Sequence, residues 1–309
     1  MLRCLEDGLW WLCLALLAPW LKVQGKQVRR KTVQLPAPSG ATAGQLQFLR
    51  QRLEDDEGRP CVRKQAQEQL SQRQTKGPPH ISRLLVVGDS SALGVGVSDQ
   101  RHSLLGCLST HWPSTPTPQR MLLAQTGWRA VDLAQALECT PHFTGSASSQ
   151  VGVDVAFEAR SVALLIVGVN DVTARTGLSD WAHQLDLLRA RCEQAGFDSI
   201  ILCSPPPMHR FLALPQPLRW VMGWRSSLLS RAGKDWATRC GVHWYELPRM
   251  RDIASSLDSH LSLAEQAQVK AQSHHPDSQW LAADGFHPSA LAYLVWAKSL
   301  ATYIRCRLC

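Results

Sequence analysis

The chain is organised around fourteen consecutive residues, Arg83-Leu84-Leu85-Val86-Val87-Gly88-Asp89-Ser90-Ser91-Ala92-Leu93-Gly94-Val95-Gly96. The apolar run of four, bounded by a charge and a glycine, predicts a buried strand of a parallel sheet. Small residues then turn the chain, and residues compatible with a helix follow. Open α/β sheets hold their reactive groups at the carboxyl ends of the strands, so Ser90 stands where a nucleophile is expected if a base lies within reach.

The spacing of this turn does not fit three other motifs. A dinucleotide-binding fingerprint would need a third glycine where the chain has Asp99. A phosphate-binding loop would need lysine after Gly94, where Val95 stands. The nucleophile elbow of α/β-hydrolases would need glycine in place of Ala92. A Gly-Asp-Ser turn alone therefore leaves the function open, and other residues must decide it.

From Ile81 onward, apolar strands alternate with helical stretches, which predicts a parallel sheet with helices on both faces. The predicted strands are Leu84–Val87, Met121–Gln125, Val162–Val167, Ser199–Cys203 and Val242–Glu246. The predicted helices are Ala130–Leu137, Trp181–Ala195, Leu218–Thr238 and Pro288–Ile304, with Pro288 in the first turn of the last. Right-handed crossovers between five parallel strands predict a flavodoxin-like three-layer α/β/α sandwich.

Length and charge predict one sizeable domain behind a different N-terminal region. The 309 residues are 45% hydrophobic, and the net charge is +8. Between Lys22 and Lys76 there are twelve basic and five acidic residues, whereas residues 77–309 carry a net charge of only +2. This distribution argues against a nucleic-acid partner. We predict an apolar segment at 1–25, a basic polar linker with a helical stretch at 26–80, and the main domain at 81–309.

The apolar N-terminal segment allows three interpretations. Gly8 to Leu21 is an uncharged run of fourteen residues, shorter than the roughly 20 that span a bilayer. The five cations that follow favour a retained segment, with residues 8–31 on a membrane surface and the main domain on the cytoplasmic side: Lys22, Lys26, Arg29, Arg30 and Lys31. A signal peptide cleaved after Gly25, with a periplasmic or secreted product, and a buried N-terminal helix are the alternatives. We expect deletion of residues 1–31 to leave a soluble and functional main domain, because no predicted strand is touched.

Four short blocks follow predicted strands or precede the last helix. They are Gly88-Asp89-Ser90, Gln125-Thr126-Gly127, Gly168-Val169-Asn170-Asp171 and Asp284-Gly285-Phe286-His287. In this order the blocks resemble those of the SGNH, or GDSL-like, hydrolases, over roughly residues 82–304. The apolar start is similar to that of some bacterial members. The resemblance implies a serine esterase that requires no metal or organic cofactor.

The chemistry of the predicted triad can be read from the residue types. Asp284 and His287 are three residues apart in a loop that enters a helix, so their side chains can face each other. Asp284 can accept the imidazole N–H, and His287 can take the proton of Ser90 as general base. The structural alternative is a helix N-cap, in which Asp284 or Ser289 holds backbone amides.

Acyl transfer also needs donors for the developing oxyanion. The backbone N–H groups of Ser90 and Gly127 can supply two, because glycine has no Cβ to block a close approach. The Asn170 side chain would give a third, as the family resemblance implies. The alternatives are a helix-entry turn that needs glycine at 127 and an Asx turn at Asn170.

Other polar residues are predicted to be structural. Asp89 and Asp171 lie beside the site without His or Cys placed to join them, so we expect them to accept from turn amides rather than bind a metal. His274 and His275 fit a solvated loop better than a metal pair. The ten scattered cysteines contain no zinc-type pair of C-x-x-C motifs, and they favour a reducing compartment.

The sequence departs from the family pattern in two places. Ser91 follows the predicted nucleophile where many members have leucine, and the region from Pro248 to Leu281 is longer than a compact member needs. Leu257, Leu261, Leu263 and Ala264 could form a short helix over the cleft. We expect two or three of five tryptophans to line an apolar acyl pocket: Trp112, Trp128, Trp181, Trp220 and Trp224.

The leading hypothesis is therefore a serine esterase that acts on lipid-like or short acyl esters through an acyl-enzyme. Lysophospholipids, acyl thioesters and small carboxylic esters all remain open as substrates. One alternative is a glycan O-deacetylase at the membrane. Another is a catalytically silent, tethered binding module, although the complete set of motif residues argues against it.

Overall fold

The computed structural model describes residues 2–39, 80–112, 118–139, 159–247 and 280–308. Five strands are present: β1 His80–Gly88, β2 Gln119–Ala124, β3 Ala159–Ile166, β4 Ser199–Cys203 and β5 His243–Tyr245. The α-helices are α1 Leu2–Lys31, α2 Ser90–Leu93, α3 Leu104–Thr110, α4 Ala130–Glu138, α5 Val169–Ala174, α6 Leu178–Gln194, α7 Leu218–Cys240 and α8 Ala290–Leu308. Short 3₁₀ turns lie at Gln100–His102 and Met208–Arg210.

The five strands form one parallel sheet in the order β2-β1-β3-β4-β5. Alternate residues of each strand enter different cores, because successive side chains point to opposite faces. Leu85 and Val87 pack with α4, α6 and α7, whereas Leu84 and Val86 pack with α3 and α8. The predicted three-layer sandwich is confirmed, and burial on both faces explains the unbroken apolar runs.

Strand β4 has its predicted bounds, whereas several other elements begin at other residues, and two of these differences are informative. Strand β1 begins at His80, four residues before the predicted start, and its register with β3 shifts between Ile81 and Arg83. Helix α8 begins at Ala290, so the prediction that Pro288 occupies its first turn is wrong. Pro288 instead forms an isolated bridge with Leu281, and the Ser289 hydroxyl accepts from the Ala292 N–H at 3.2 Å.

Helix α1 packs across α7. The Trp10 Nε1–H donates to the Val221 carbonyl at 3.0 Å. The Gln24 side chain donates to the Gln216 carbonyl at 2.6 Å and accepts from the Leu218 N–H at 3.1 Å. The helix continues through the predicted boundary at residue 25. No helix in the described ranges is long and apolar enough to cross a membrane.

Ion pairs add to this contact. The Arg225 guanidinium is completely buried, bonds to Asp7 and the Thr176 carbonyl, and lies 4.6 Å above the Trp10 ring. Glu6 pairs with Arg231. Our expectation that residues 1–31 are dispensable considered only the strands. Their removal would take away the Asp7 carboxylate and the Trp10 ring that contact the Arg225 guanidinium and would uncover one face of α7, so α1 packs as part of the folded domain.

The segment after α1 has no regular structure up to Ser39, which agrees with the predicted break at Leu35–Gly40. Ser39 ends this segment by donating its N–H to the Ser98 carbonyl at 2.8 Å. Several predictions lie outside the described residues. These are the helical stretch of the linker, the His274–His275 pair and the helix over the cleft within residues 248–279.

Candidate active site

The turn that carries Ser90 leaves the sheet between two neighbouring strand ends. Gly88, the last residue of β1, is in register with Ala124 of β2 and Ile166 of β3. A Cβ at Gly88 would lie 2.5 Å from the Ile166 carbonyl oxygen, so the close approach of these strands requires glycine. The three loops after β1, β2 and β3 therefore begin at one edge of the sheet.

Ser90 is the first residue of the short helix α2. The Asp89 carboxylate caps this helix by accepting from the Ser91 N–H at 2.9 Å. The Ser90 carbonyl accepts from the N–H groups of Gly94 and Val95, at 3.1 and 2.9 Å. These local bonds fix the backbone while the Ser90 side chain stays half-buried at the cavity wall.

The predicted pair of Asp284 and His287 lies within hydrogen-bond distance of Ser90. His287 Nε2 lies 2.8 Å from Ser90 Oγ, and His287 Nδ1 is bonded to Asp284 Oδ2. The other Asp284 oxygen accepts from the N–H groups of Phe286 and His287, at 3.0 and 3.1 Å. Burial opposes ionisation of Asp284, but the bonds from the His287 ring and the two amides together lower its pKa. An ionised Asp284 holds the proton on Nδ1, which leaves Nε2 as the acceptor for the serine hydroxyl.

Ser90 and Gly127, whose backbone N–H groups are the predicted oxyanion donors, line the same cavity. Within the described ranges, neither the Ser90 N–H nor the Gly127 N–H has a hydrogen-bond acceptor. Gly127 has a φ of +87°, which L side chains rarely adopt, and a Cβ there would meet no atom within 4 Å. The positive φ explains why glycine stands at this turn, and the open space around its Cα leaves the predicted approach of an oxyanion unobstructed by the described residues.

The Asn170 side chain lies beside these donors but is already engaged. Its Nδ2 donates to the Trp128 carbonyl at 2.9 Å and faces Asp89 Oδ2 at 3.4 Å. Asn170 thus links the loop after β2 to the turn after β1. The sequence contained no signal for the Trp128 carbonyl, because a backbone acceptor depends on loop geometry.

Asp89 and Asp171 are buried carboxyls next to the site. Burial raises the pKa of each to about 6, against the opposing effect of the amides that they accept from. Asp89 accepts from a turn amide as predicted, whereas Asp171 accepts from Ala130 at the start of α4, at 3.3 Å, and from the Thr176 hydroxyl, at 3.2 Å. The described residues contain no group of three His, Cys, Asp or Glu that could hold a metal ion.

A cavity of about 1660 Å³ opens beside Ser90 and His287. Helix α1 supplies part of its wall through Leu14, Leu21 and Val28, which the sequence interpretation missed. Their spacing of seven residues was the available signal, because it places all three on one helix face. None of the five tryptophans expected at the pocket lines it. Trp181 is buried in the core, and the lining tryptophans are Trp280 and Trp296.

Comparison with known proteins links this arrangement to a family. Residues 86–295, more than half of the chain, match the model of the GDSL-like Lipase/Acylhydrolase family. No curated protein sequence matches the chain.

Three similar solved structures can be compared directly. A lipase/acylhydrolase from Enterococcus faecalis has 16% identity and a TM-score of 0.45, covering 74% of this chain and 98% of that one. Est24, a carbohydrate acetylesterase from Sinorhizobium meliloti, has 14% identity and a TM-score of 0.44, covering 73% and 99%. The native aryl esterase of M. smegmatis has 15% identity and a TM-score of 0.45, covering 74% and 100%.

Proposed function

The chain belongs to the GDSL-like lipase/acylhydrolase family, and we propose that it is a serine esterase that cleaves lipid-like carboxylic esters through an acyl-enzyme. The family makes it a hydrolase that acts on ester bonds. The observation that carries the finer proposal is the continuous hydrogen-bond chain from Ser90 Oγ through the His287 ring to Asp284.

The first half of the reaction forms the acyl-enzyme. His287 Nε2 takes the hydroxyl proton as Ser90 Oγ attacks the ester carbonyl. The carbonyl oxygen becomes an oxyanion that the Ser90 and Gly127 N–H groups stabilise. When the bond to the alcohol oxygen breaks, His287 returns the proton to that leaving group. Asp284 stabilises the imidazolium that exists in between.

The second half repeats these roles with water as the attacking group. His287 takes a proton from water, and the resulting oxygen nucleophile attacks the acyl carbon. The acyl-oxygen bond to Ser90 then breaks, and the proton on His287 returns to Ser90 Oγ. The products are one carboxylic acid and one alcohol, and the enzyme regains its starting protonation state.

Asn170 supplies a third oxyanion donor in this proposal. Its amide lies between the loops that hold the other two donors, and it donates to the Trp128 carbonyl in the unliganded site. One Nδ2 hydrogen makes only a long contact of 3.4 Å with Asp89, so a rotation of the planar amide that gives up this weaker contact brings a hydrogen to the oxyanion. In this proposal the third donor acts mainly in the transition state.

The cavity supports a lipid-like acyl group. Its volume of about 1660 Å³ exceeds the roughly 300–1,000 Å³ of most small-molecule sites. The wall that α1 supplies combines aliphatic side chains with three cations, and Phe211 and Met222 add further apolar surface. An acyl chain is stabilised when its apolar surface is buried against these side chains, whereas a sugar would lose hydrogen bonds to water there.

A fluorophosphonate probe tests the proposed nucleophile. We expect the wild-type protein to be labelled and Ser90→Ala to lose both labelling and ester hydrolysis, because the covalent step needs the Oγ. Ser91→Ala is the matched control, since Ser91 is the adjacent serine, and it should keep both activities. Retention of a tenth or more of the activity in Ser90→Ala would contradict the assignment.

A panel of esters from acetate to palmitate, with an acetylated sugar included, tests the substrate class. We expect kcat/KM to rise with acyl length until the chain fills the cavity. A preference for the acetylated sugar would support glycan deacetylation instead. If neither labelling nor hydrolysis occurs, the protein is a silent binding module.

A further inference from the structure

The outward side of helix α1 is an exposed apolar stripe. Six large hydrophobic residues that recur every three or four positions are between 52% and 73% exposed: Leu5, Leu9, Leu12, Leu16, Trp20 and Val23. This spacing places them on one helix face. The eighteen steps from Leu5 to Val23, at a rise of about 1.5 Å each, make the stripe about 27 Å long. We refer to these six residues as the outer stripe of α1.

The opposite face of the same helix is covered. Trp10, Leu14 and Leu21 are buried against the domain. A helix that is apolar on all sides is normally covered on all sides, and the described residues cover only one face of α1. Contiguous exposed apolar surface of this kind marks a binding surface.

The charges beside the outer stripe indicate what kind of surface it binds. The five exposed cations at the end of α1 have no carboxylate partner within the described ranges: Lys22, Lys26, Arg29, Arg30 and Lys31. The acidic residues of the helix, Glu6 and Asp7, are already paired with Arg231 and Arg225. A second copy of the chain would therefore bring five more cations and no free carboxylate from α1. An anionic lipid surface supplies both an apolar layer and the opposite charge.

We propose that the outer stripe of α1 docks on an anionic lipid bilayer, with the helix lying in the plane of the headgroups. Trp20 suits this depth because indole combines an apolar ring with a polar N–H. Lys22, Lys26 and Arg29 also line the cavity beside Ser90. One helix therefore separates the bilayer from the substrate cavity, so a lipid-like ester has a short path between them. The docking itself does not depend on hydrolysis.

Vesicle flotation with the full chain tests this proposal. The Ser90→Ala form is used so that no lipid is hydrolysed. We expect it to float with vesicles of phosphatidylcholine and phosphatidylglycerol, less with phosphatidylcholine alone, and less at high salt. The triple change Leu9→Gln, Leu16→Gln and Trp20→Gln should weaken binding more than about tenfold, because three exposed apolar groups are removed. Leu187→Gln, an exposed leucine on α6 that is 38% accessible, is the control and should bind like the parent.

The outcomes separate this proposal from the others. Absence of binding to anionic vesicles, or equal binding by the triple variant, would overturn it. Self-association without lipid that the triple change abolishes would overturn it too, because the stripe would then bind a second copy. The triple variant with Ser90 intact should hydrolyse a soluble short ester like wild type, which shows that its fold is kept. Failure of the esterase proposal would appear as absent probe labelling and would leave the flotation result unchanged.

Discussion

The serine turn and the N-terminal helix are attached to the domain in opposite ways. The turn is held by bonds between near neighbours, such as the Ser91 N–H to Asp89 and the Gly94 N–H to the Ser90 carbonyl. Helix α1 is held by partners about two hundred positions away, where Gln24 accepts from the Leu218 N–H. The turn thus carries chemistry on a locally fixed backbone, whereas α1 depends on surfaces that both elements must supply. Changes in the two regions should therefore alter different measured quantities.

Asn170→Ala should produce the largest effect, on chemistry alone. We expect kcat to fall by about 10²–10³, or roughly 2.7–4 kcal/mol, with little change in KM, because the donor acts mainly in the transition state. Thr110→Ala, at an exposed threonine of α3 that does not line the cavity, is the control and should leave kcat unchanged. A rise in KM alone would mean that Asn170 binds the ground-state substrate.

Asp89 tests the difference between the serine turn and α1, because it belongs to the turn but should affect the free energy of unfolding. Its pKa of about 6 in the folded protein exceeds the ordinary value of 3.8. Between about pH 4 and 6, the folded state keeps a proton that the unfolded chain releases. The free energy of unfolding should therefore decrease as the pH rises through this range, by at most about 3 kcal/mol from this group.

Urea unfolding at several pH values measures this slope. Asp171, with a pKa also near 6, acts in the same direction, so Asp89→Asn should remove part of the slope. Asp284 acts in the opposite direction, because its pKa is lowered and its stabilisation is lost only as the pH falls below 3.8. An unchanged slope in Asp89→Asn would show that this carboxyl does not hold the proton.

Gln24→Ala should have the smallest effect, on stability alone. It leaves the Leu218 N–H and the Gln216 carbonyl without this side-chain partner, which costs about 1–3 kcal/mol for a buried group. We expect kcat on a soluble ester to be unchanged. Gln27→Ala, an exposed glutamine on the same helix, should unfold like wild type. Equal losses in both variants would show that the contact with α7 is not what Gln24 contributes.

The sheet was predictable because its strands are buried on both faces. Most of the strands contain an apolar run, and the predicted five-stranded parallel sheet is the one observed. The residues around Ser90 were predictable as a set because the motif loops follow strands that meet at one edge. The sequence did not indicate that the Asn170 amide binds the Trp128 carbonyl, because that bond depends on the path of a loop.

The position of α1 was not predictable from its own composition. A run such as Gly8 to Leu21 has the same composition whether it covers a protein core or meets lipid. Its packing depends on Val221 and Leu218, which supply complementary groups from α7. The prediction of the tryptophans that line the cavity was wrong for a related reason. All tryptophans are large and apolar, and only the tertiary fold distinguishes Trp181 in the core from Trp280 at the cavity.

The distance along the chain between α1 and α7 has a consequence for synthesis. Gln24 leaves the ribosome long before Leu218, its partner 194 residues later. At about 5–20 residues per second, this delay lasts roughly 10–40 s. During that time the inner face of α1 lacks its partner on α7, so both apolar faces of the helix are exposed. A lipid surface that binds the outer stripe in this interval would hold the growing chain before its sheet is complete, so the helix could determine where the domain folds.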